Sequence, residues 1–216
     1  MDLLQALRTT GSTRDFTEQQ VDDATVAAIL DDGRFAPSGG NRQPWRVVVV
    51  KDTTVRRKLA DLMTTVWHEY LGESHDDSRT PFALGRSTGA TPVAAPNPLL
   101  DNVEQVPVML AVAADLNKIA LMDGQADRPP VTGGASVYPF CWSVLLAARA
   151  RGLGGVMTTF LSRAEVDAAS VLQLPADHAL VATIFLGHPV RITTKLRRQP
   201  VASFTTIDRF DGEALI

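Results

Sequence analysis

A polar loop, Ala36-Pro-Ser-Gly-Gly-Asn-Arg-Gln-Pro-Trp45, leads directly into an apolar run, Arg46-Val-Val-Val-Val-Lys51, and the rest of the chain is organised around this segment. The run Val47–Val50 is too short for a helix and consists entirely of β-branched residues. Continuous apolar runs of this kind are typical of strands that are covered on both faces. The sequence therefore predicts a strand inside a sheet, entered from a tight polar loop.

The loop itself has an unusual composition, because Gly39 and Gly40 stand between the small polar residues Ser38 and Asn41. Glycines can adopt positive φ, so that successive backbone N–H groups turn inward and form a concavity for an anion or a carbonyl edge. An ordinary turn between a helix and a strand explains the same four residues equally simply. The neighbouring motifs decide between these interpretations.

The string A-P-S-G-G-N-x-Q-P-W-x-V-V-V at 36–49 resembles the nitroreductase family of FMN-dependent oxidoreductases. Three further parts of the family pattern have counterparts in the expected order. They are Ser12-Thr-Arg14-Asp-Phe16, then Gly152-Leu-Gly-Gly155, and finally Lys195-Leu-Arg197. The resemblance thus spans nearly the whole chain of 216 residues.

Composition is that of a globular protein, with 45% hydrophobic and 21% charged residues. The formal net charge of −3 and the lack of a basic footprint give no reason to expect nucleic-acid binding. The single cysteine, Cys141, excludes a disulfide within the chain and a CxxC zinc site. We expect a cytoplasmic protein with no signal peptide and no membrane anchor, because no apolar run approaches the roughly 20 residues that a bilayer requires.

Periodicity predicts alternating helices and strands. Helices are expected at 2–8, from Asp22 or Asp23 to Gly33, from Asp52 or Thr53 through Tyr70, and from Val137 to Gly152. Further strands are expected at 106–114, 153–160 and 180–187, and the box Ser162-Arg-Ala-Glu165 predicts a helix start. This order indicates an α+β fold with a mixed central sheet flanked by helices.

We interpret residues 1–216 as one FMN-binding domain with two special segments. Residues 72–105 lack periodicity and are expected to be a lid or substrate loop over the flavin. The tail 191–216 carries widely spaced apolar residues and is expected to be an arm laid across another surface. The resemblance implies an intertwined homodimer in which this arm crosses to the partner and two FMN molecules bind at the interface.

The resemblance also assigns residues to the flavin phosphate. Lys195 and Arg197 match the family's C-terminal basic pair, and Ser12 matches its N-terminal serine. Arg14 corresponds to a basic residue near the pyrimidine end of the flavin, where a fixed cation would stabilise negative charge that develops on reduction. Without the resemblance, the basic run near Lys195 would be interpreted as a solvated surface.

For the rest of the cofactor, Pro37, Ser38, Gly39 and Asn41 match the loop that reaches the ribityl chain and ring, commonly from the partner subunit. Thr158 and Thr159 occupy the place where relatives present backbone N–H groups to flavin N5 and O4. Gln43 and Trp45 are expected to be structural. No catalytic side chain and no metal site are expected, because the flavin carries the reaction.

The resemblance implies an enzyme in which NADPH or NADH delivers hydride to flavin N5, and a nitroaromatic, quinone or similar small acceptor then takes it up. The alternative is a non-catalytic FMN-binding protein for storage or sensing, with the flavin sealed under residues 72–105. The sequence departs from the family at Thr10, where relatives often have an arginine. It leaves open the preferred nicotinamide, the physiological acceptor and the size of substrate that the lid admits.

Hydrolytic and metal-dependent chemistry are both disfavoured. Ser38, Asp177 and His188 follow hydrolase order, but a nucleophile elbow needs a strand before the serine and a helix after it. Here a helix is expected before Ser38 and a strand after it. The four histidines, at 68, 75, 178 and 188, show no metal-ligand spacing.

Overall fold

The computed structural model describes residues 1–74 and 91–215. The helices are α1 (Leu3–Thr9), α2 (Asp23–Gly33), α3 (Thr53–Ser74), α4 (Pro98–Asp101), α5 (Tyr138–Ala150), α6 (Phe160–Arg163) and α7 (Glu165–Leu172). The strands are β1 (Trp45–Val49), β2 (Val108–Asp115), β3 (Gly154–Thr158) and β4 (His178–Gly187). This order confirms the predicted α+β class.

The four strands form one sheet in the order β1-β2-β4-β3, and every neighbouring pair is antiparallel. Within the described residues, the parallel component expected of a mixed sheet is a single bridge between Ser12 and Gly155. The bridge joins the N-terminal segment to β3. It therefore positions the N-terminal segment rather than extending the sheet by a further strand.

Helices cover both faces of the sheet, and strand β2 shows why. Along β2, Val108, Leu110 and Val112 face the layer of α2 and α5, whereas Met109 and Ala111 face the layer of α3, α4, α6 and α7. Side chains alternate between the two faces of a strand, so a strand buried on both faces has to be apolar throughout. The helices on both faces predicted from the sequence are confirmed.

Local sequence signals explain where the long helices begin. Asp22 Oδ1 accepts a hydrogen bond of 2.7 Å from the backbone N–H of Thr25, which caps α2. Asp52 Oδ1 accepts one of 2.9 Å from Val55 N, at the start of α3. Each carboxylate satisfies a backbone donor that the first helical turn leaves unpaired.

Two predictions about local structure are wrong. Strand β1 is an edge strand with Val48 38% exposed, so its two faces are not both covered within the chain. Ser162 does not cap a helix, because it lies inside α6. The carboxylate of Glu165 instead accepts a hydrogen bond of 2.5 Å from the backbone of Leu180. Strand β1 lacks a second neighbouring strand, and Glu165 bonds to a residue distant in sequence, so tertiary structure overrides the local pattern in both cases.

The segment 72–105, predicted to be a lid, is described in part. Helix α3 extends to Ser74, and residues 75–90 lie outside the described residues. Helix α4 and the following 3₁₀ turn Val103–Gln105 pack onto α3 and bury Leu99, Leu100 and Val103. The last third of the segment is therefore part of the core.

Candidate functional site

The N-terminal motif is held at the end of the sheet by its backbone. Ser12 forms the parallel bridge to Gly155, and Thr13 N donates a hydrogen bond of 2.9 Å to Gly155 O. A few residues later, Thr17 N donates one of 2.8 Å to His188 O, just beyond β4. Because Gly155 belongs to the sheet and His188 directly follows its strand β4, the exposed side chains of Ser12 and Arg14 project from an anchored backbone.

The C-terminal tail meets this motif and forms a basic cleft with it. The cleft has a volume of about 350 Å³ and is lined by residues 12–15 and 191–195. It contains three cations, Arg14, Arg191 and Lys195, and one carboxylate, Asp15. Leu196 and Thr193 are the side chains nearest to Gly11. Ser12, Arg14 and Lys195 are therefore brought together, whereas the exposed Arg197 does not line this cleft.

A second, aromatic cleft of about 600 Å³ also contains Arg14. Its walls include Trp67 and Tyr70 of α3, whose ring centroids lie 6.2 Å apart, and Phe160 at 5.9 Å from Trp67. Thr158 and Thr159 line the same cleft, and their assignment to the flavin stays a prediction. Arg14 thus lies between a basic cleft suited to an anion and an apolar cleft suited to a planar ring.

Two polar atoms in the wall of the aromatic cleft have no partner. Thr158 Oγ1 and Trp67 Nε1 are buried and make no hydrogen bond among the described residues. Buried polar groups in native proteins are nearly always paired, so an unpaired pair in one cleft wall calls for an explanation. Both atoms are closed off from solvent, so a ligand in the cleft does not contact them as the cleft stands. The aromatic side chains and Arg14 that line the cleft fit the planar ring of a flavin.

The loop of Pro37, Ser38, Gly39 and Asn41 lies elsewhere in the chain and lines none of the clefts that contain Arg14. Gly39 N donates a hydrogen bond of 3.0 Å to Ser136 Oγ, just before α5. Of the two glycines, only Gly40 adopts the expected left-handed conformation, with φ of +60°, and the next residue, Asn41, has φ of +52°. One chain alone does not bring these four residues to Arg14.

Trp45 anchors this loop. Its ring stacks on Phe140 of α5 with a centroid separation of 4.8 Å and an interplanar angle of 5°. The ring also packs against the core beneath α5. This contact is consistent with the structural role predicted for Trp45, and it ties the loop to the helix that follows Ser136.

Sequence reasoning missed Asn97, Trp67 and Tyr70 as site residues. Asn97 lines the aromatic cleft and also a neighbouring cleft of about 470 Å³ that contains Arg14. It precedes Pro98, the first residue of α4, and an Asn-Pro pair at a helix start could have marked it. Trp67 and Tyr70 were interpreted as part of an apolar helix face, and a repeat alone does not reveal which part of that face lines a cleft.

The competing chemistries find no support among the described residues. Ser38 precedes a 3₁₀ turn and strand β1 rather than a helix, so it is not on a nucleophile elbow. Asp177 bonds to Asn117 and to its neighbour His178. No cluster of possible metal ligands is present in the parts of the chain described, 1–74 and 91–215. Burial raises the pKa of the Cys141 thiol to about 12, which removes it as a nucleophile.

Comparison with known proteins decides the family. The pattern of the nitroreductase family matches residues 7–188. The chain belongs to the nitroreductase family. Among curated relatives, the 5,6-dimethylbenzimidazole synthase of Rhodospirillum rubrum is 32% identical over 82% of the chain and 76% of the relative. The NADH dehydrogenase of Thermus thermophilus is 26% identical over 88% of both chains.

Solved structures agree on the fold. The NADPH:FMN oxidoreductase of Vibrio harveyi, in a complex with NAD⁺, has a TM-score of 0.70 and 19% identity. The match covers 98% of this chain and 79% of that one. Family membership makes the protein an oxidoreductase. Within the described residues, no helix is long and apolar enough to cross a bilayer.

Proposed function

We propose that the chain is an FMN-dependent NAD(P)H oxidoreductase that reduces nitroaromatic, quinone or similar electrophilic acceptors. The observation that carries the proposal is the place of Arg14, which lines both the basic cleft and the aromatic cleft. A molecule with a phosphate at one end and a planar ring at the other matches this arrangement. Membership of the nitroreductase family supports FMN as that molecule.

Each group of residues has a defined task in this proposal. Ser12 and Lys195 bind the phosphate in the basic cleft, with Arg197 close along the tail. When bound, FMN accepts hydride from NADPH or NADH and passes it to the acceptor. Arg14 holds a positive charge beside the ring and stabilises the negative charge that accumulates on reduction, which raises the reduction potential.

The aromatic wall supports the acceptor side of the reaction. Trp67 and Tyr70 present ring faces on which a planar acceptor can stack, and Phe160 closes the cleft. The backbone of Thr158 and Thr159 is proposed to meet the polar edge of the ring. The lid predicted at 72–105 stays a proposal for the part of that range that is not built into α3 or the core, and Asn97 and Pro98 at the start of α4 form part of the cleft wall.

The homodimer is part of the same proposal, because the loop 37–41 does not reach Arg14 within one chain. Large apolar side chains face outward on α5 and on the tail 191–216: Trp142 is 40% exposed, Phe204 67% and Phe210 fully. Apolar groups exposed in this number are typical of a surface that a partner covers. We propose that the partner subunit's loop 37–41 completes each site.

The experiment that tests the function is an anaerobic titration of the purified, FMN-loaded protein with NADPH and then NADH, followed at the flavin absorbance. We expect bleaching that a nitroaromatic or a quinone reverses. Arg14→Gln should slow both half-reactions, whereas Lys58→Gln, an exposed position on α3 that lines none of the clefts containing Arg14, should leave them unchanged. A yellow protein that neither nucleotide bleaches would favour non-catalytic FMN binding. A protein that cannot be loaded with FMN would contradict the proposal.

A second candidate function is the synthesis of 5,6-dimethylbenzimidazole. It is favoured by the relative from Rhodospirillum rubrum, which carries that name and matches most of the chain. The product contains a dimethylated benzene ring, as the isoalloxazine does, so FMN would be consumed rather than recycled. Aerobic incubation with FMN and NADPH, followed by mass spectrometry, would detect the product. Its absence, together with rapid acceptor reduction, would leave the first function.

A further inference from the structure

Arg149 is a buried cation that the fold leaves without adequate partners. It lies in the last turn of α5 and is 9% exposed. Nη2 donates one hydrogen bond of 3.2 Å to Thr9 Oγ1, whereas Nε is buried and has no partner. Within residues 1–74 and 91–215, no carboxylate forms an ion pair with Arg149. A buried charge without a counter-charge is unfavourable, so an anion is expected to complete its surroundings.

Arg56 shows how this fold satisfies an arginine that is purely structural. It is 7% exposed, and its guanidinium donates to Val50 O at 2.8 Å and to Val106 O at 2.5 Å. These bonds fasten the start of α3 to the sheet and leave Nε paired. The unpaired Nε of Arg149 is thus not a general feature of buried arginines in this protein.

Arg149 lies next to the basic cleft. It lines a narrow gap together with Thr10, Gly11, Thr13, Ile192 and Thr193. The last three of these residues also line the basic cleft, so Arg149 lies directly behind one wall of that cleft.

Thr10 is the position at which this chain lacks an arginine that the family often has. Thr10 is buried, and its hydroxyl donates a hydrogen bond of 2.7 Å to Ala6 O, so it is engaged with α1 rather than with the cleft. Thr10 and Arg149 line the same gap. A cation from α5 therefore reaches the place from which the N-terminal cation is missing.

We infer that Arg149, from behind the wall of the basic cleft, stabilises a phosphate bound there and provides from helix α5 the positive charge that Thr10 does not provide. The inference rests on the proposed function, since the anion is the phosphate monoester of FMN. The basic cleft has three cations and one carboxylate, and a phosphate monoester carries close to two negative charges at neutral pH. Because the cleft wall shields Arg149 from water, solvent and salt screen its positive charge less than they screen a charge on the surface.

The test compares FMN with riboflavin, which has the same ring and ribityl chain without the phosphate. Dissociation constants of both are measured by fluorescence quenching on apoprotein of the wild type, Arg149→Gln, Arg149→Met and Arg149→Lys. The matched control is Arg151→Gln, two residues along the same helix end, where Arg151 pairs with Asp32 at 2.6 Å. Two neutral variants are included so that a folding defect in one does not prevent the measurement.

We expect the neutral variants to bind FMN about 10- to 100-fold more weakly and riboflavin within about twofold of the wild type. Arg149→Lys should retain most of the preference for FMN, and Arg151→Gln all of it. An unchanged ratio of the two constants, or an equal loss for both flavins, would overturn the inference and leave the proposed function standing. A wild type that binds neither flavin would overturn both.

Discussion

Gly155→Ala tests whether the packing of strand β3 sets the geometry of the basic cleft. Gly155 carries two of the backbone links to the N-terminal motif, the bridge to Ser12 and the hydrogen bond from Thr13 N. A Cβ at this position would lie 2.5 Å from Leu186 Cδ2, and 2.9 Å from both Leu145 Cδ2 and Phe185 O. Since Phe185 O belongs to the neighbouring strand, the clash cannot be relieved by a side-chain rotation alone.

The magnitude follows from the cost of overpacking a close-packed core, about 1–3 kcal/mol. For a chain of this length, that corresponds to a fall in Tm of about 2–12 °C. The displacement of β3 also shifts Ser12 and Thr13, so we expect FMN affinity to fall about tenfold, the equivalent of one well-formed hydrogen bond.

Thermal unfolding followed by circular dichroism measures the first effect, and FMN titration of the apoprotein measures the second. Gly124→Ala is the matched control, because its Cβ would come no closer than 3.3 Å to Leu121 in an exposed loop. A Tm within about 1 °C of the wild type would refute the packing argument. A lower Tm with unchanged FMN affinity would show that the cleft does not depend on the link through Gly155.

Two further predictions follow from the shifted pKa values. Burial raises the pKa of the Cys141 thiol to about 12. Native protein at pH 8 should therefore react with a thiol reagent at least about 10³-fold more slowly than denatured protein, which should titrate as one thiol per chain. Comparable reaction rates would contradict the burial of this thiol. Hydrogen bonds from Thr132, Val131 and Arg128 hold the pKa of Asp123 well below its usual range. This carboxylate therefore stabilises the fold fully at pH values above about 3.9, its pKa in the unfolded chain, and progressively less as the pH falls toward its lower native pKa. Asp123→Asn should therefore be less stable than the wild type to urea at pH 7, with a smaller difference at pH 3, and an equal difference at both would contradict the assignment.

Local signals in the sequence were sufficient for most elements. Asp22 and Asp52 mark the starts of two helices because capping depends on residues three positions apart. The apolar run of β2 identifies a central strand because both of its faces need cover. The same reasoning failed for β1, since four valines look alike in an edge strand and in a central one.

The site was predictable to the extent that motif residues carry their own chemistry. Ser12, Arg14, Lys195, Thr158 and Thr159 were all named from the sequence, and the structure distributes them over two clefts that share Arg14. Asn97 and Trp67 were not named, because nothing in an apolar helix face or in a proline-flanked asparagine tells which cavity it borders. The placement of loop 37–41 stays a prediction that depends on the partner subunit.

The sequence by itself determined the family, the α+β class and the residue types available for an anion and a planar ring, because these depend on short-range patterns. Only the tertiary structure decided that residues 12–15 meet residues 191–195, and that Arg149 comes to lie behind their cleft. The physical reason is that such contacts join positions about 140 to 180 residues apart, through the sheet and α5. Burial and missing partners are properties of that assembled packing, and no local pattern encodes them.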